Sequence, residues 1–107
     1  MFTRIVEVTS KTGKGRELTR LVSEKVLQIL KAQPGFMDEI TLVSSEAPDR
    51  ILAISFWKTK ENAEAYQRDQ YAKVTETIRN LMEGTPNVRT FEVEQSTVHK
   101  VVFGKAA

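Results

Sequence analysis

The chain contains no cysteine and only one histidine, His99. The first absence removes disulfides, thiolate nucleophiles and zinc-thiolate sites, and is compatible with a reducing compartment. The second removes any multi-histidine metal site built within one chain. No stretch approaches the roughly 18 apolar residues needed to span a bilayer. Met1 leads directly into an alternating pattern instead of a basic-then-apolar leader, so no membrane partner is expected and the expected location is the cytoplasm. Nor is charge of one sign massed anywhere. The 16 Lys and Arg residues are interleaved with 14 Asp and Glu, a net charge of +2, which argues against nucleic acid as the main partner.

What is present is the balance of a soluble globular protein, 40% hydrophobic and 28% charged. At 107 residues the chain fits one domain. Residues 2–9 (FTRIVEVT) alternate as a strand, with Phe2, Val6 and Val8 on one side and Ile5 on the other. After the Gly-containing loop SKTGKG, a helix is expected over residues 16–31, with an apolar stripe of Leu18, Leu21, Val22, Val26, Ile29 and Leu30. Pro34-Gly35 ends it. Residues 36–44 form a second strand, Pro48-Asp49 marks a hairpin turn, and residues 51–57 (ILAISFW) a third strand with no polar face, which must be covered on both sides. Thr59 is a good N-cap for a helix expected to break near Arg68-Asp69-Gln70. A second stripe follows from Tyr71 through Val74, Ile78, Leu81 and Met82, closed by residues 84–87. Residues 88–94 alternate as a fourth strand, and residues 98–103 offer a short fifth.

The order β-α-β-β-α-β is the ferredoxin-like α+β arrangement, a four-stranded antiparallel sheet with two helices on one face. The uncovered face still carries large apolar residues, and a patch of that size marks an association surface. A homodimer is the simplest way to bury it, since a two-fold interface needs one self-complementary patch.

The first strand FTRIVEVT, the long helix after a Gly-containing turn, Gln33-Pro34-Gly35-Phe36, and the run from Ile54 through Trp57 to Glu61 into a broken helix together resemble the antibiotic biosynthesis monooxygenase superfamily of dimeric α+β barrels. The resemblance covers nearly the whole chain, residues 1–107 as one domain with 98–107 as a C-terminal extension. It implies two sheets packed into a barrel and a pocket in each monomer between sheet and helices. The scaffold carries several chemistries. The haem-degrading members use an asparagine on the first strand, a tryptophan on the broken helix and an iron-ligating histidine beyond it. Here the first strand has no asparagine, and the other two positions fall on Tyr66 and on Glu76 or Thr75, so haem degradation is disfavoured.

The cofactor-independent oxygenases of the superfamily act on polyphenolic or anthrone-type substrates, in pockets that contain tryptophan, tyrosine, asparagine and arginine. Such chemistry needs a base, donors to the substrate oxyanion and a dry pocket. Trp57, Tyr66, Tyr71, Asn62 and Arg4 supply those residue types. Trp57 is placed either to stack on an aromatic substrate or to close the core. Tyr66 either donates to a substrate oxygen or makes an ordinary helix-to-sheet contact. Tyr71 opens a stripe whose residues are usually core, and the usual work of Asn62, in a first helical turn, is capping. Arg4 and Glu7 lie on opposite faces of the first strand. His99 is of the one residue type that ordinarily suits proton transfer near neutrality, yet its place in the extension favours a surface or dimer contact. Gly13 and Gly15 make no phosphate loop, because no GK[ST] follows. The expected function is a monooxygenase without metal or cofactor, acting on a small aromatic or quinone-type metabolite, with Trp57 and Tyr66 shaping the pocket. A non-enzymatic ligand-binding or stress-related protein of the same fold is the alternative.

Overall fold

The computed structural model describes residues 1–101. The alternating runs become four strands, β1 (Phe2–Ser10), β2 (Phe36–Val43), β3 (Arg50–Trp57) and β4 (Met82–Glu92). They form one antiparallel sheet in the order β2-β3-β1-β4, which is the ferredoxin-like topology. Phe2 lies opposite Trp57, Arg4 opposite Ser55 and Val8 opposite Ile51. One face therefore carries Phe2, Arg4, Val6 and Val8 with Ile51, Ala53, Ser55 and Trp57, and this is the face the helices cover. Ile5, Leu52, Ile54 and Phe56 point to the other side, as the alternation predicts.

Between β1 and β2 the chain is helical from Gly15 to Lys31, as α1 (Gly15–Leu21), one wider π turn (Val22–Val26) and α2 (Leu27–Lys31). The buried residues Leu18, Val22, Val26 and Leu30 are spaced by four. In a regular α-helix of 3.6 residues per turn, that spacing would swing the stripe about 40° around the axis at each repeat. The π turn offsets the drift, because its i to i+5 bonding takes more residues per turn. All four side chains stay on the sheet.

After β3, α3 (Lys60–Asp69) starts at Thr59, whose hydroxyl oxygen accepts the Asn62 amide at 3.1 Å. The helix breaks at Gln70, with φ −127, and resumes as α4 (Tyr71–Ile78), which packs on the π turn. The expected stripe through Leu81 and Met82 is shorter in the structure. α4 ends at Ile78, a 3-10 turn spans Arg79–Leu81, and Met82 already pairs with Ser10. β4 is correspondingly longer than expected, because the residues between Glu83 and Asn87 bulge opposite Val8 without leaving the sheet, Gly84 supplying a φ of +66. No strand forms over residues 98–101. Residues 102–107 of the expected fifth strand and C-terminal extension lie outside the described residues.

A second bulge lies at the start of β2. Phe36 pairs with Trp57 and Asp38 with Phe56, leaving Met37 as an extra residue. A one-residue insertion exchanges the faces of everything beyond it, so Phe36 and Glu39 both point toward the helices and Asp38 points away. The junction before β2 packs against the start of α3. The Gly35 carbonyl accepts the Lys58 amide at 2.8 Å, and Gly35 itself holds φ +78 with Asn62 against it.

A Cβ at Gly35 would lie 2.1 Å from Asn62 Oδ1, whereas Gly13, at φ +77, meets nothing within 4 Å among the described residues. Gly13→Ala is expected to cost roughly 1 kcal/mol, from backbone strain alone. Gly35→Ala adds a steric conflict and is expected to cost roughly 3 kcal/mol. Urea denaturation of the two variants checks the difference; equal losses would remove the steric part.

Candidate functional site

One row across the sheet is polar where it passes beneath the helices. It runs from Glu39 on β2 through Ser55 on β3 and Arg4 on β1 to Thr90 on β4, each residue in register with the next. Adjacent strands lie about 4.8 Å apart, which separates the Glu39 and Arg4 backbones by about 10 Å with Ser55 between them. The row before it runs Phe36, Trp57, Phe2 and Glu92, and the row after it Thr41, Ala53, Val6 and Val88. On the two central strands Ser55 and Arg4 thus lie between apolar pairs, Trp57 with Phe2 and Ala53 with Val6, and packing alone does not call for a charge there.

Arg4 is 3% exposed. It donates through a terminal nitrogen to Gln67 Oε1 on α3. Its guanidinium carbon lies 5.0 Å from the Tyr66 ring centre and 4.8 Å from that of Tyr71, so two aromatic faces share the cation. No carboxylate among the described residues is within ion-pair distance of it. Burial lowers the pKa of this group, yet an arginine stays charged in a protein. The result is a buried cation with no anion, an arrangement that costs stability unless a ligand supplies the counter-charge.

Tyr66 is stacked on Trp57, with ring centres 5.1 Å apart and planes tilted by 30°, and meets Tyr71 edge-on at 6.3 Å. Burial pushes the Tyr66 phenol up to about 12 and that of Tyr71 upward as well, in both cases against the opposing pull of Arg4. Both are neutral donors near neutrality. The buried Tyr71 hydroxyl has no hydrogen-bond partner among the described residues.

Arg4, Ser55, Tyr66, Tyr71, Thr75 and Glu39 line one cavity, and its remaining wall is almost wholly aliphatic side chains from β1, β3 and the helices. Its volume is about 50 Å³. That is well below the ~150 Å³ of a void that takes up benzene. Glu39 stands at its β2 side, accepting from the Thr41 hydroxyl at 2.9 and 3.1 Å. Burial pushes its carboxyl above the usual range and neighbouring Asp38 adds to that, while the Thr41 bond opposes it.

Of the residues expected from sequence, Arg4, Tyr66 and Tyr71 come together on this cavity. Trp57 does not line it. Wholly buried, the indole donates from Nε1 to Ser55 Oγ at 2.9 Å and meets Phe36 edge-on at 5.7 Å, bracing Tyr66 and Ser55 from behind. Asn62 is in the first turn of α3, where its backbone amide donates to the capping Thr59 hydroxyl and its Oδ1 accepts from that hydroxyl at 2.8 Å. His99 is on the opposite face of the sheet, Nε2 3.1 Å from Asp38 Oδ2 and its ring 5.2 Å from Phe56.

The family model described as antibiotic biosynthesis monooxygenase matches residues 1–77, from β1 to α4 and including Arg4, Glu39, Tyr66 and Tyr71. The chain belongs to this family. Similar solved structures include the monooxygenase ActVA-Orf6 of Streptomyces coelicolor in complex with nanaomycin D, at TM-score 0.77 and 15% identity over 92% of each chain. SnoaB, a cofactor-independent oxygenase from Streptomyces nogalater, aligns at TM-score 0.75 and 16% identity over 92% of this chain and 97% of that one. A protein of unknown function from Nitrosomonas europaea aligns at 0.76 and 16% over 94% and 95%. No curated protein sequence matches significantly. Tyr66 is packed on Trp57, and Glu76 is exposed and ion-paired with Arg79 at 2.7 Å. Among the described residues no cluster of three or more His, Asp or Glu could hold a metal, and no helix is long and apolar enough to cross a membrane.

Glu39, Ser55 and Gln67 were not singled out by sequence. The available signal was the Asp38-Glu39 pair inside an apolar strand, since alternation turns one of two adjacent residues inward. Tyr71→Phe is expected to stabilise the protein by about 1 kcal/mol, because it removes a buried hydroxyl without a partner. Trp57→Ala is expected to cost about 3 to 5 kcal/mol. Chemical-denaturation midpoints check both.

Proposed function

We propose that the protein is a cofactor-independent monooxygenase acting on a small aromatic or quinone-type metabolite held between the sheet and the helices. The observation that carries this reading is Arg4, a buried guanidinium with no carboxylate among the described residues in ion-pair reach, beside the Tyr71 hydroxyl, which has no partner among them, in a cavity walled mostly by aliphatic side chains. These are the features of a site for a substrate oxyanion: fixed donors, a cation and little water. A hydroquinone or anthrone-type substrate, once deprotonated, is electron-rich enough to reduce dioxygen directly. One oxygen atom is retained as a new ring carbonyl and the other leaves as water, taking up two hydrogens from the substrate: both from the methylene carbon of an anthrone, or one from the ring carbon and one from a hydroxyl of a hydroquinone. Arg4 and Tyr71 hold the substrate oxygen, Tyr66 forms the aromatic wall, and Trp57 keeps that wall in place. SnoaB, described as a cofactor-independent oxygenase, and ActVA-Orf6, a monooxygenase seen with nanaomycin D, support this choice among the family's chemistries.

A second reading, a non-enzymatic ligand-binding or stress-related protein, is favoured by the small cavity. At about 50 Å³ it does not hold an aromatic ring as it stands, so a ligand must part the helices, and the break at Gln70 is where the helical layer can yield. The proposal extends to a homodimer. Ile40, Leu42 and Phe91, on the face without helices, are 42%, 45% and 49% exposed, and a second copy of the same face would cover them.

Dioxygen uptake above background is expected with a panel of hydroquinones and anthrones. Arg4→Met, which keeps an unbranched apolar stem and a folded core, should lower kcat/KM by about 100-fold. Ligand binding without uptake would support the second reading, and neither binding nor uptake would sink both. In size-exclusion chromatography with light scattering the protein should run as a dimer and Ile40→Glu as a monomer. A monodisperse wild-type monomer would overturn the dimer.

A further inference from the structure

We infer that Glu39 is the group that takes the proton from the substrate, and that the substrate carries its acidic hydroxyl and a conjugated second oxygen at opposite ends of one planar ring system. This rests on the reading of the cavity as a site for hydroxyarenes. Among the described residues, Glu39 is the one carboxylate lining that cavity. It points there because Met37 is an extra residue in β2; without the bulge, Asp38 would face inward and Glu39 outward.

The other lining groups are poor bases. Tyr66 and Tyr71 are held as neutral phenols by burial, and the Ser55 hydroxyl oxygen already accepts from Trp57. The charged and titratable groups facing Glu39 across the cavity are Arg4 from β1, Tyr66 from α3 and Tyr71 from α4; the helix before β2 presents only aliphatic side chains. On its own strand Asp38 lies alongside but turns to the opposite face, where it meets His99.

Glu39 and Arg4 stand two strands apart in one row, with Ser55 between them. Once the helices part to admit it, a flat ring lying along the row presents a hydroxyl to Glu39 and a carbonyl to Arg4 and Tyr71. The O–H bond at the Glu39 end breaks and the proton passes to a carboxylate oxygen. The electron pair stays on the substrate, and conjugation carries the negative charge to the far oxygen, where the guanidinium meets it. Burial raises the proton affinity of the carboxylate, and the cation lowers that of the substrate. Together they narrow the gap the proton must cross, as efficient general-base catalysis requires.

4-Nitrophenol has this layout, a hydroxyl at one end and a charge-accepting nitro group at the other. Added to wild-type protein at a pH below its own ionisation, it should develop the visible nitrophenolate band. Glu39→Gln, which preserves volume, should bind it within about threefold of wild type and leave it neutral. In dioxygen uptake the same variant should lose about 100-fold or more in kcat with little change in KM, and the acid limb of the pH profile should disappear. Ionisation by Glu39→Gln equal to wild type, or an unchanged kcat and acid limb, would overturn the role of Glu39. Glu39-dependent ionisation without any uptake would instead refute the monooxygenase reading and leave this inference standing. If nitrophenol does not bind, the kcat and pH profile of uptake decide; absence of both binding and uptake overturns both.

Discussion

The wholly buried indole of Trp57 positions three elements at once. Its edge contact with Phe36 anchors the start of β2, its stack on Tyr66 holds α3 over the sheet, and its N–H orients the hydroxyl of Ser55 in the middle of the polar row. An aromatic side chain with that much buried area tolerates little displacement in a close-packed interior. The junction at Gly35 is drawn against Asn62 in the same corner, so the Pro-Gly-Phe segment and the capped helix are two sides of one contact. Trp57 thus acts one layer behind the cavity.

The cavity concentrates groups that a stable core would avoid. A guanidinium beyond ion-pair reach of any described carboxylate, a carboxyl pushed toward its neutral form and a hydroxyl without a partner among the described residues line a space of about 50 Å³. Each costs free energy in a chain whose net stability is of the order of 5 to 15 kcal/mol. Such costs are tolerated at functional sites, where a ligand or a transition state provides the missing partner. On the other face Glu7 is matched by Arg50 at 2.5 Å and Arg89 at 3.5 Å, and its carboxyl is held below the usual range mainly by the Arg50 hydrogen bond. There the charges are paired within the chain.

Much of this was legible in the residue pattern. Period-two alternation placed Arg4 and Glu7 on opposite faces and split β3 into Leu52, Ile54 and Phe56 against Ile51, Ala53 and Trp57. Thr59 marked the start of α3, and the lapse of apolar spacing at Arg68-Asp69-Gln70 marked its end. The pattern was less informative wherever the chain departs from a regular period. The four-residue spacing from Leu18 to Leu30 reads as an ordinary amphipathic helix, although only a π turn keeps it on the sheet. Gly84 and Pro86 read as a helix-closing loop because nothing local distinguishes a loop from a bulge.

The sequence by itself determined the first three strands and the regular half of the fourth, the capped and broken helix, and which aromatic and charged residues were available for a site, because these follow from local periodicity and from the conformational limits of single residues. Which of those residues share the cavity was decided only by tertiary structure. Trp57 moved behind the wall, Asn62 and His99 went elsewhere, and Glu39 turned inward on the strength of one extra residue opposite β3. The physical reason is that the register of a strand is set by hydrogen bonds to a partner distant in sequence, and a shift of one residue there reverses every side chain beyond it.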